Sequence, residues 1–172
     1  MAKSSIYESY EQDAEAMEHG IWITDLMIPV PVKIRSFYSK KVRELNNVLT
    51  KRYQQAMLAG NGTLPPDKAD SRTVELVAKG IVVNWGLAAA KADGVTLPDE
   101  AEDMTDREGN VLPYSVEHAT RVFKDLPRFR DEIFALAITN ETYRKAALDG
   151  LKGNSVAPSS PSSPSTAPIP QS

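Results

Sequence analysis

Two histidines are the side chains in this sequence best suited to acid–base or metal chemistry. Neither His19 nor His118 stands at helical spacing from a second histidine or from carboxylates that would complete a ligand set. His118 closely follows Ser115, which is predicted to cap a helix, so a surface position in the first helical turn is favoured over a catalytic one. Serines lie mostly at helix caps and in the C-terminal tail, without a Gly-x-Ser-x-Gly setting. We therefore expect no enzymatic activity, no metal site and no cofactor.

Two groups of charged residues could bind ions or phosphates. The acids between residues 95 and 108 could hold a cation, but their order does not match a calcium-binding EF-hand, so a solvated, mobile loop is the better interpretation. The basic residues between 40 and 52 could contact phosphate, but no aromatic side chains are interleaved for base stacking, which favours a solvated helix face. Gly60-Asn61-Gly62 follows a helix rather than a strand, and therefore predicts a helix end and not a phosphate loop. We expect no nucleic acid partner.

The composition is that of an ordinary soluble domain. The chain has 172 residues, of which 41% are hydrophobic, and a net charge of −3. It has no cysteine, which excludes disulfides, a thiolate nucleophile and cysteine-ligated metals. No window approaches the ~20 apolar residues of a membrane span, and the N-terminus lacks the apolar run of a signal peptide. We expect a cytosolic protein with no membrane partner.

A β-hairpin is predicted near the N-terminus. Ile21-Trp22-Ile23-Thr24 is rich in β-branched and aromatic residues, and Val30, Val32 and Ile34 alternate with Pro31, Lys33 and Arg35. Prolines 29 and 31 remove backbone donors, so the second strand should be paired on one side only. An isolated hairpin is marginal in water, so its apolar face must dock on helices or on another chain.

Helices are predicted over most of the remaining chain. Ser36 or Ser39 should cap a helix that runs to about Ala59, and Pro65-Pro66-Asp67 should begin the next. Apolar residues at 74, 77, 78, 81, 82, 85, 88 and 89 predict one long helix through Gly80 and Trp85, ended by Gly94. Gly80 within it predicts either a close helix contact or a bend. Further helices should begin after Ser115, with Val116 and Leu126 on its inner face, and at Pro127, and a last helix should carry Tyr143.

The fold class is therefore mainly α: a small helical domain with an N-terminal β-hairpin and a disordered C-terminal tail. The tail from Asn154 is almost entirely Ser, Pro and Ala, which cannot bury enough apolar surface to offset the cost of ordering. The predicted divisions are a polar lead-in over 1–19, the hairpin and helical domain over 20–153, and the disordered tail over 154–172.

Apolar residues on the hairpin and the long helix are the candidate partner-binding residues. Tryptophan is enriched at interface hot spots, but it can equally pack in the core. For Trp85 the core position is favoured, and for Trp22 the core and interface positions are evenly balanced. The candidates are Trp22, Val30, Val32, Ile34 and Trp85.

The order of several short motifs resembles a known family. The N-terminal half contributes Gly20-Ile21-Trp22-Ile23, Val32-Lys33-Ile34-Arg35, a Lys/Arg-rich helix and a helix ending near Trp85. Gly109-x-x-Leu112-Pro113-Tyr114-Ser115, Leu126-Pro127-x-Phe129 and Tyr143 after Asn140-Glu141 follow in the C-terminal half. Over roughly residues 5 to 152 this order resembles the tail assembly chaperones of long-tailed bacteriophages. The chain departs from the family pattern where the acidic loop around 93–108 expands the segment after the tryptophan.

The resemblance implies a non-enzymatic role in phage tail assembly. Its expected partners are the tape measure protein, which such chaperones coat, and the tail tube protein, which they help to recruit; a homo-oligomer is left open. It implies a location in the host cell cytoplasm and absence from the mature virion. The alternative is a structural virion component, such as a tail completion or connector protein. A regulatory or enzymatic protein would instead need a cleft with converging titratable groups.

Overall fold

A computed structural model describes residues 11–144, which form helices packed against one small antiparallel sheet. The predicted fold class, mainly α with an N-terminal β-hairpin, is confirmed. The C-terminal tail, and the predicted last helix beyond Arg144, lie outside the described residues. In chain order the elements are α1 (Ala14–His19), β1 (Ile21–Ile23), β2 (Val32–Ile34), α2 (Lys40–Ala59), α3 (Pro66–Leu76), a π-helix (Val77–Ile81), β3 (Val82–Trp85), α4 (Leu87–Ala92), α5 (Val116–Asp125), α6 (Pro127–Ile138) and a 3₁₀-helix (Asn140–Tyr143).

The hairpin forms as predicted, but its second strand is not at the edge of the sheet. β1 pairs antiparallel with β2, with Trp22 opposite Lys33. β2 also pairs with β3, so the order is β1-β2-β3 and β2 is the central strand. The predicted one-sided pairing is wrong because Pro29 and Pro31 precede β2, where they cost the ladder no donor. The Pro31 carbonyl even accepts a hydrogen bond from Gly86 N–H at 3.0 Å.

The long helix predicted through Trp85 is wrong in its second half. α3 continues into the π-helix, and the chain then extends as β3 before a separate short helix, α4. Val82, Val83 and Trp85 have high strand propensity, and Gly86 adopts a φ of +97°, which interrupts any helix. The apolar pattern still identified the core, because most of its positions are buried, in α3 and the π-helix as well as in β3: Val74, Val77, Ala78, Ile81, Val82 and Trp85.

Helix ends follow the predicted local signals. The Ser39 side chain accepts a hydrogen bond from Val42 N–H at 3.3 Å at the start of α2, and Gly60 follows its last residue. Of the two alternatives predicted for Gly80, the structure has the close helix contact, since a Cβ there would lie 3.0 Å from Cδ2 of Leu45 on α2. α2 thus packs tightly on the π-helix with one face and leaves its basic face exposed.

The C-terminal helices close the core from the other side. The Ser115 hydroxyl accepts from His118 N–H at 3.0 Å and caps α5, and Pro127 begins α6, as predicted. Phe123 of α5 and Phe129 of α6 are buried with ring centroids 5.7 Å apart. Val116 and Leu126, predicted to face inward, are instead 41% and 42% exposed, at the start of α5 and just after its end.

The acidic loop is bound to the domain at its C-terminal part. The Asp103 carboxylate accepts from Leu87 N–H at 2.7 Å, at the start of α4, and Glu102 N–H donates to the Pro29 carbonyl at 2.7 Å. Met104 is buried in the core. The interpretation of the whole loop as solvated is therefore wrong for Asp103 and Met104, while the side chains of Asp99, Glu100 and Glu102 are exposed.

Candidate partner-binding surface

Four of the five candidate partner-binding residues belong to the core. Val30, Val32 and Ile34 are buried on the inner face of the sheet, as is Trp85 at the end of β3. Successive side chains of a strand point to opposite faces, and this alternation carries Val32 and Ile34 inward while Lys33 points outward. The folded domain therefore offers none of these four side chains to a partner as surface.

Trp85 is fixed in the core by hydrogen bonding as well as by packing. Its side chain is 3% exposed, and its indole N–H donates to the Leu112 carbonyl at 2.8 Å. Its ring meets Tyr114 edge to face at a centroid distance of 5.2 Å. The core interpretation of Trp85 is thus confirmed, and the Gly109–Ser115 motif supplies the groups that hold it.

Trp22 lies on the outer face of the sheet and is half-buried. Its indole N–H donates to the Asp93 carboxylate at 2.9 Å, and the same oxygen accepts from Lys33 Nζ at 2.7 Å. These bonds from Lys33 and then Trp22 lower the pKa of Asp93 below its ordinary value of 3.8. Trp22 is the one candidate that keeps accessible surface, and its polar end is already engaged within the chain.

Charged and phenolic groups inside the domain join its elements. The buried Arg35 side chain donates to the Glu18 carbonyl at 3.1 Å and to the Gly80 carbonyl at 3.2 Å, and burial lowers its pKa. Tyr143 donates to the Ile34 carbonyl at 3.2 Å and Tyr114 to the Val82 carbonyl at 3.0 Å. Burial raises the pKa of both phenols, so they stay neutral donors. Arg35 thus ties the end of β2 to α1 and the π-helix, and Tyr143 ties β2 to the 3₁₀-helix.

Exposed apolar side chains were missed by the sequence interpretation. Leu58 of α2 is 72% exposed and Met27, before β2, is 67% exposed. The signal for Leu58 was present, since it lies one position beyond the inner stripe of α2 that ends on Met57. Other large apolar residues with exposed surface are Tyr38, Val48, Val111, Val116, Leu126 and Ile138.

A cleft between a tight turn and α5 was also missed. Thr105 and Val111 pair across the turn, and Asp106 accepts hydrogen bonds from the backbone of Glu108 and Asn110 at 3.0 and 2.8 Å. Bonds led by the Asn110 side chain lower the pKa of Asp106 below its ordinary 3.8. The cleft encloses about 420 Å³, a size typical of a small binding site. Its lining includes Asp106, Glu108, Leu112, Val122, Asp125 and Leu126.

Between residues 11 and 144, no three His, Asp or Glu side chains are grouped closely enough to hold a metal ion. Within the same range, no helix combines the length and the apolar composition that crossing a membrane requires.

Comparison with known proteins gives one match. The profile of the YdaY prophage protein family matches residues 37–154, which is more than half of the 172-residue chain. No curated protein and no solved structure matches the chain. The match begins just after β2, so it includes β3, all the helices from α2 onward, and the cleft. The chain belongs to the YdaY prophage protein family and is of phage origin.

Proposed function

We propose that this protein is a tail assembly chaperone of a long-tailed phage. It binds the tape measure protein in the host cytoplasm and helps to recruit tail tube subunits around it. It acts by covering apolar segments of its client, with no bond made or broken, and is left out of the finished virion.

Phage origin, from the match over residues 37–154, is the observation that carries this proposal. Its specific form comes from the order of the Gly109–Ser115, Leu126–Phe129 and Tyr143 motifs, which resembles that of tail assembly chaperones. The structure adds accessible apolar side chains, since Met27, Val48 and Leu58 are largely exposed. Amphipathic helices, which present an apolar face, are the client segments that such side chains suit.

Co-expression with the tape measure protein encoded in the same prophage tests the proposal. We expect the client to move from the insoluble to the soluble fraction and to co-purify with this chain. An unrelated small soluble protein, expressed at the same level, is the control and should leave the client insoluble. The proposal fails if the client stays insoluble and no complex is recovered.

Mass spectrometry of purified virions separates the chaperone from a structural virion component. A chaperone should be absent from particles of an induced prophage and present in the lysate. Recovery of the chain in whole-number ratio to a known tail protein would favour a tail completion or connector role and overturn the proposal.

A further inference from the structure

We propose that a polar notch between α2, α5 and the helical stretch formed by α3 and the π-helix binds inorganic phosphate. The notch encloses about 240 Å³, below the ~300–1,000 Å³ of sites for drug-sized ligands, so it suits a small ion. Six of its lining side chains are polar: Tyr53, Ser71, Glu75, Lys79, Thr120 and Lys124. This inference goes beyond the chaperone role and does not depend on it.

Two lysines and a phenol supply unused hydrogen-bond donors to the notch. Lys124 forms no ion pair with any residue between 11 and 144, so its three ammonium protons are available. Lys79 gives one proton to the Glu75 carboxylate at 2.6 Å and keeps two. The half-buried Tyr53 hydroxyl makes no hydrogen bond within the same range. An oxyanion is the ligand that such donors suit, because hydrogen bonds between charged groups are the strong ones.

Positive charge exceeds negative charge around the notch. The Glu75 side chain is 17% exposed and is held by two ion pairs, with Lys79 and with Arg52 at 2.7 Å. Arg52, Lys79 and Lys124 therefore place three positive charges around one carboxylate. Both acids of α5 are paired with arginines: Glu117 and Asp125. A bound anion would thus meet a net positive surface.

Hydrogen-bond acceptors in the notch favour phosphate over sulfate. The hydroxyl protons of Ser71 and Thr120 go to carbonyls of their own helices, at 2.8 and 2.7 Å, so these two oxygens are left as acceptors. The Glu75 carboxylate is a third acceptor. Hydrogen phosphate keeps a P–OH group that can donate to one of them, whereas sulfate at neutral pH has no proton to give. Sulfate would therefore meet the Glu75 charge without a hydrogen bond between them.

A phosphate bound in this way would connect three separate elements. Tyr53 comes from α2, Lys79 from the π-helix and Lys124 from the last turn of α5. Each of these side chains has at least one free donor, so one ion with several oxygens can accept from all three. We therefore expect binding to depend on side chains far apart in the sequence.

Two-dimensional NMR of the ¹⁵N-labelled full-length chain, titrated with inorganic phosphate at neutral pH and constant ionic strength, measures the binding. We expect saturable shifts of backbone amides around residues 71–79 and 120–124, and no saturable shifts with sulfate. Shifts that grow linearly with phosphate, or that sulfate reproduces, would overturn the proposal. No client is present, so the result is independent of the co-expression test.

Lys124→Gln identifies the base that the site depends on. This exposed side chain should not be needed for folding, and its loss should weaken phosphate binding about tenfold, because a hydrogen bond to a charged group is removed. Lys91→Gln is the matched control, since Lys91 lies in the last turn of α4 and does not line the notch. It should bind phosphate as the wild type does. Equal affinities of the two variants would refute the assigned site.

Glu75→Gln tests the preference for phosphate. Glutamine keeps the shape of the side chain but removes the negative charge that opposes sulfate. Sulfate should then produce saturable shifts of the same amides that phosphate shifts in the wild type. If sulfate still fails to bind to a variant with a well-dispersed, folded spectrum, the role given to Glu75 is wrong.

Discussion

Gly20 joins α1 to β1 with a backbone that only glycine tolerates. Its φ is +87°, and a Cβ on this residue would lie 2.9 Å from the Ile34 carbonyl oxygen of the neighbouring strand. The close approach lets α1 end directly against the sheet, next to the hydrogen bonds that Arg35 makes with the Glu18 and Gly80 carbonyls.

Gly20→Ala should destabilise the domain by about 2–4 kcal/mol, because backbone strain of ~1–3 kcal/mol adds to a clash with backbone that cannot rotate away. Gly62→Ala is the matched control. The φ of Gly62 is +89°, but nothing lies within 4 Å of the added Cβ, so the free energy of unfolding should fall by only about 1 kcal/mol. Urea unfolding monitored by tryptophan fluorescence measures both losses. Equal losses would show that the contact with Ile34 contributes nothing.

The buried phenol of Tyr143 makes the stability of the domain depend on pH in the alkaline range. Burial raises its pKa above the ordinary 10.0, so the folded state keeps the proton when the unfolded state loses it. The stability that this neutral phenol contributes is fully present below pH ~10 and is lost as pH rises from there toward the higher folded-state pKa.

Tyr143→Phe should therefore lower the free energy of unfolding by about 1 kcal/mol at pH 7, because the hydrogen bond to the Ile34 carbonyl is lost. Above pH 10, the free energy of unfolding of this variant should fall less steeply than that of the wild type. Adding Tyr114→Phe to this variant should make the free energy of unfolding depend still less on pH, since burial raises the pKa of Tyr114 as well. Free energies of unfolding measured between pH 7 and 11 test this. A variant curve parallel to that of the wild type would contradict it.

At the scale of elements, β3 is the part of the fold that the sequence pattern misassigned. Local signals located the helix ends correctly, because Ser39, Ser115 and Pro127 act within one turn of their own position. The pairing of β3 with β2 instead depends on residues about fifty positions apart, which no local signal reports. Apolar residues at 81, 82 and 85 fit a buried helix face and a buried strand equally well.

A disulfide across β2 and β3 tests this assignment. Lys33 and Asn84 are paired residues with side chains on the outer face, and the ~4.5–5.5 Å between the Cα atoms of such pairs is a distance that a disulfide can span. Lys33→Cys with Asn84→Cys should oxidise to one intramolecular bond in a chain that has no other cysteine. Intact-mass spectrometry detects this bond as a loss of two hydrogens from the mass of the chain.

Lys33→Cys with Val82→Cys provides the comparison. Val82 pairs with Ile34 beyond the register shift at Val83, and its side chain is buried on the inner face, so this pair should retain both free thiols under the same oxidation. Efficient bonding of the 82 pair, with none of the 84 pair, would mean that residues 82–85 are not in the register described.

The candidate binding surface was less predictable than the fold, for a physical reason. An apolar pattern in a sequence identifies residues that need burial, and the core of this domain satisfies that need for Val30, Val32, Ile34 and Trp85. Surface available to a partner is what the core leaves over, such as Leu58 and the cleft beside α5, and it depends on how the helices pack.

For the molecule as a whole, the described residues share one core. Inner residues of the sheet, the π-helix, α5 and α6 pack into a single cluster that includes Ile34, Ile81, Phe123 and Ile133. The segment from Asn154 onward has few apolar residues to add to it.

A chain ending at residue 153 should therefore unfold at the same temperature as the full chain, because residues 154–172 have few apolar side chains that could be buried. Differential scanning calorimetry of the two proteins at one concentration measures the difference. A lower midpoint for the shorter chain would show that the tail contributes to the folded domain and would overturn the predicted boundary.

The order of strands also sets a delay during synthesis. β2 is the middle of the sheet, yet β3 is made about fifty residues later, which at ~5–20 residues per second is roughly 3–10 s of translation. Throughout that interval one side of β2 has no partner strand, and Val32 and Ile34 lack the π-helix, α5 and α6 that complete the core in the folded domain. A protein proposed to cover the apolar segments of another chain thus has uncovered apolar residues of its own while it is being synthesised.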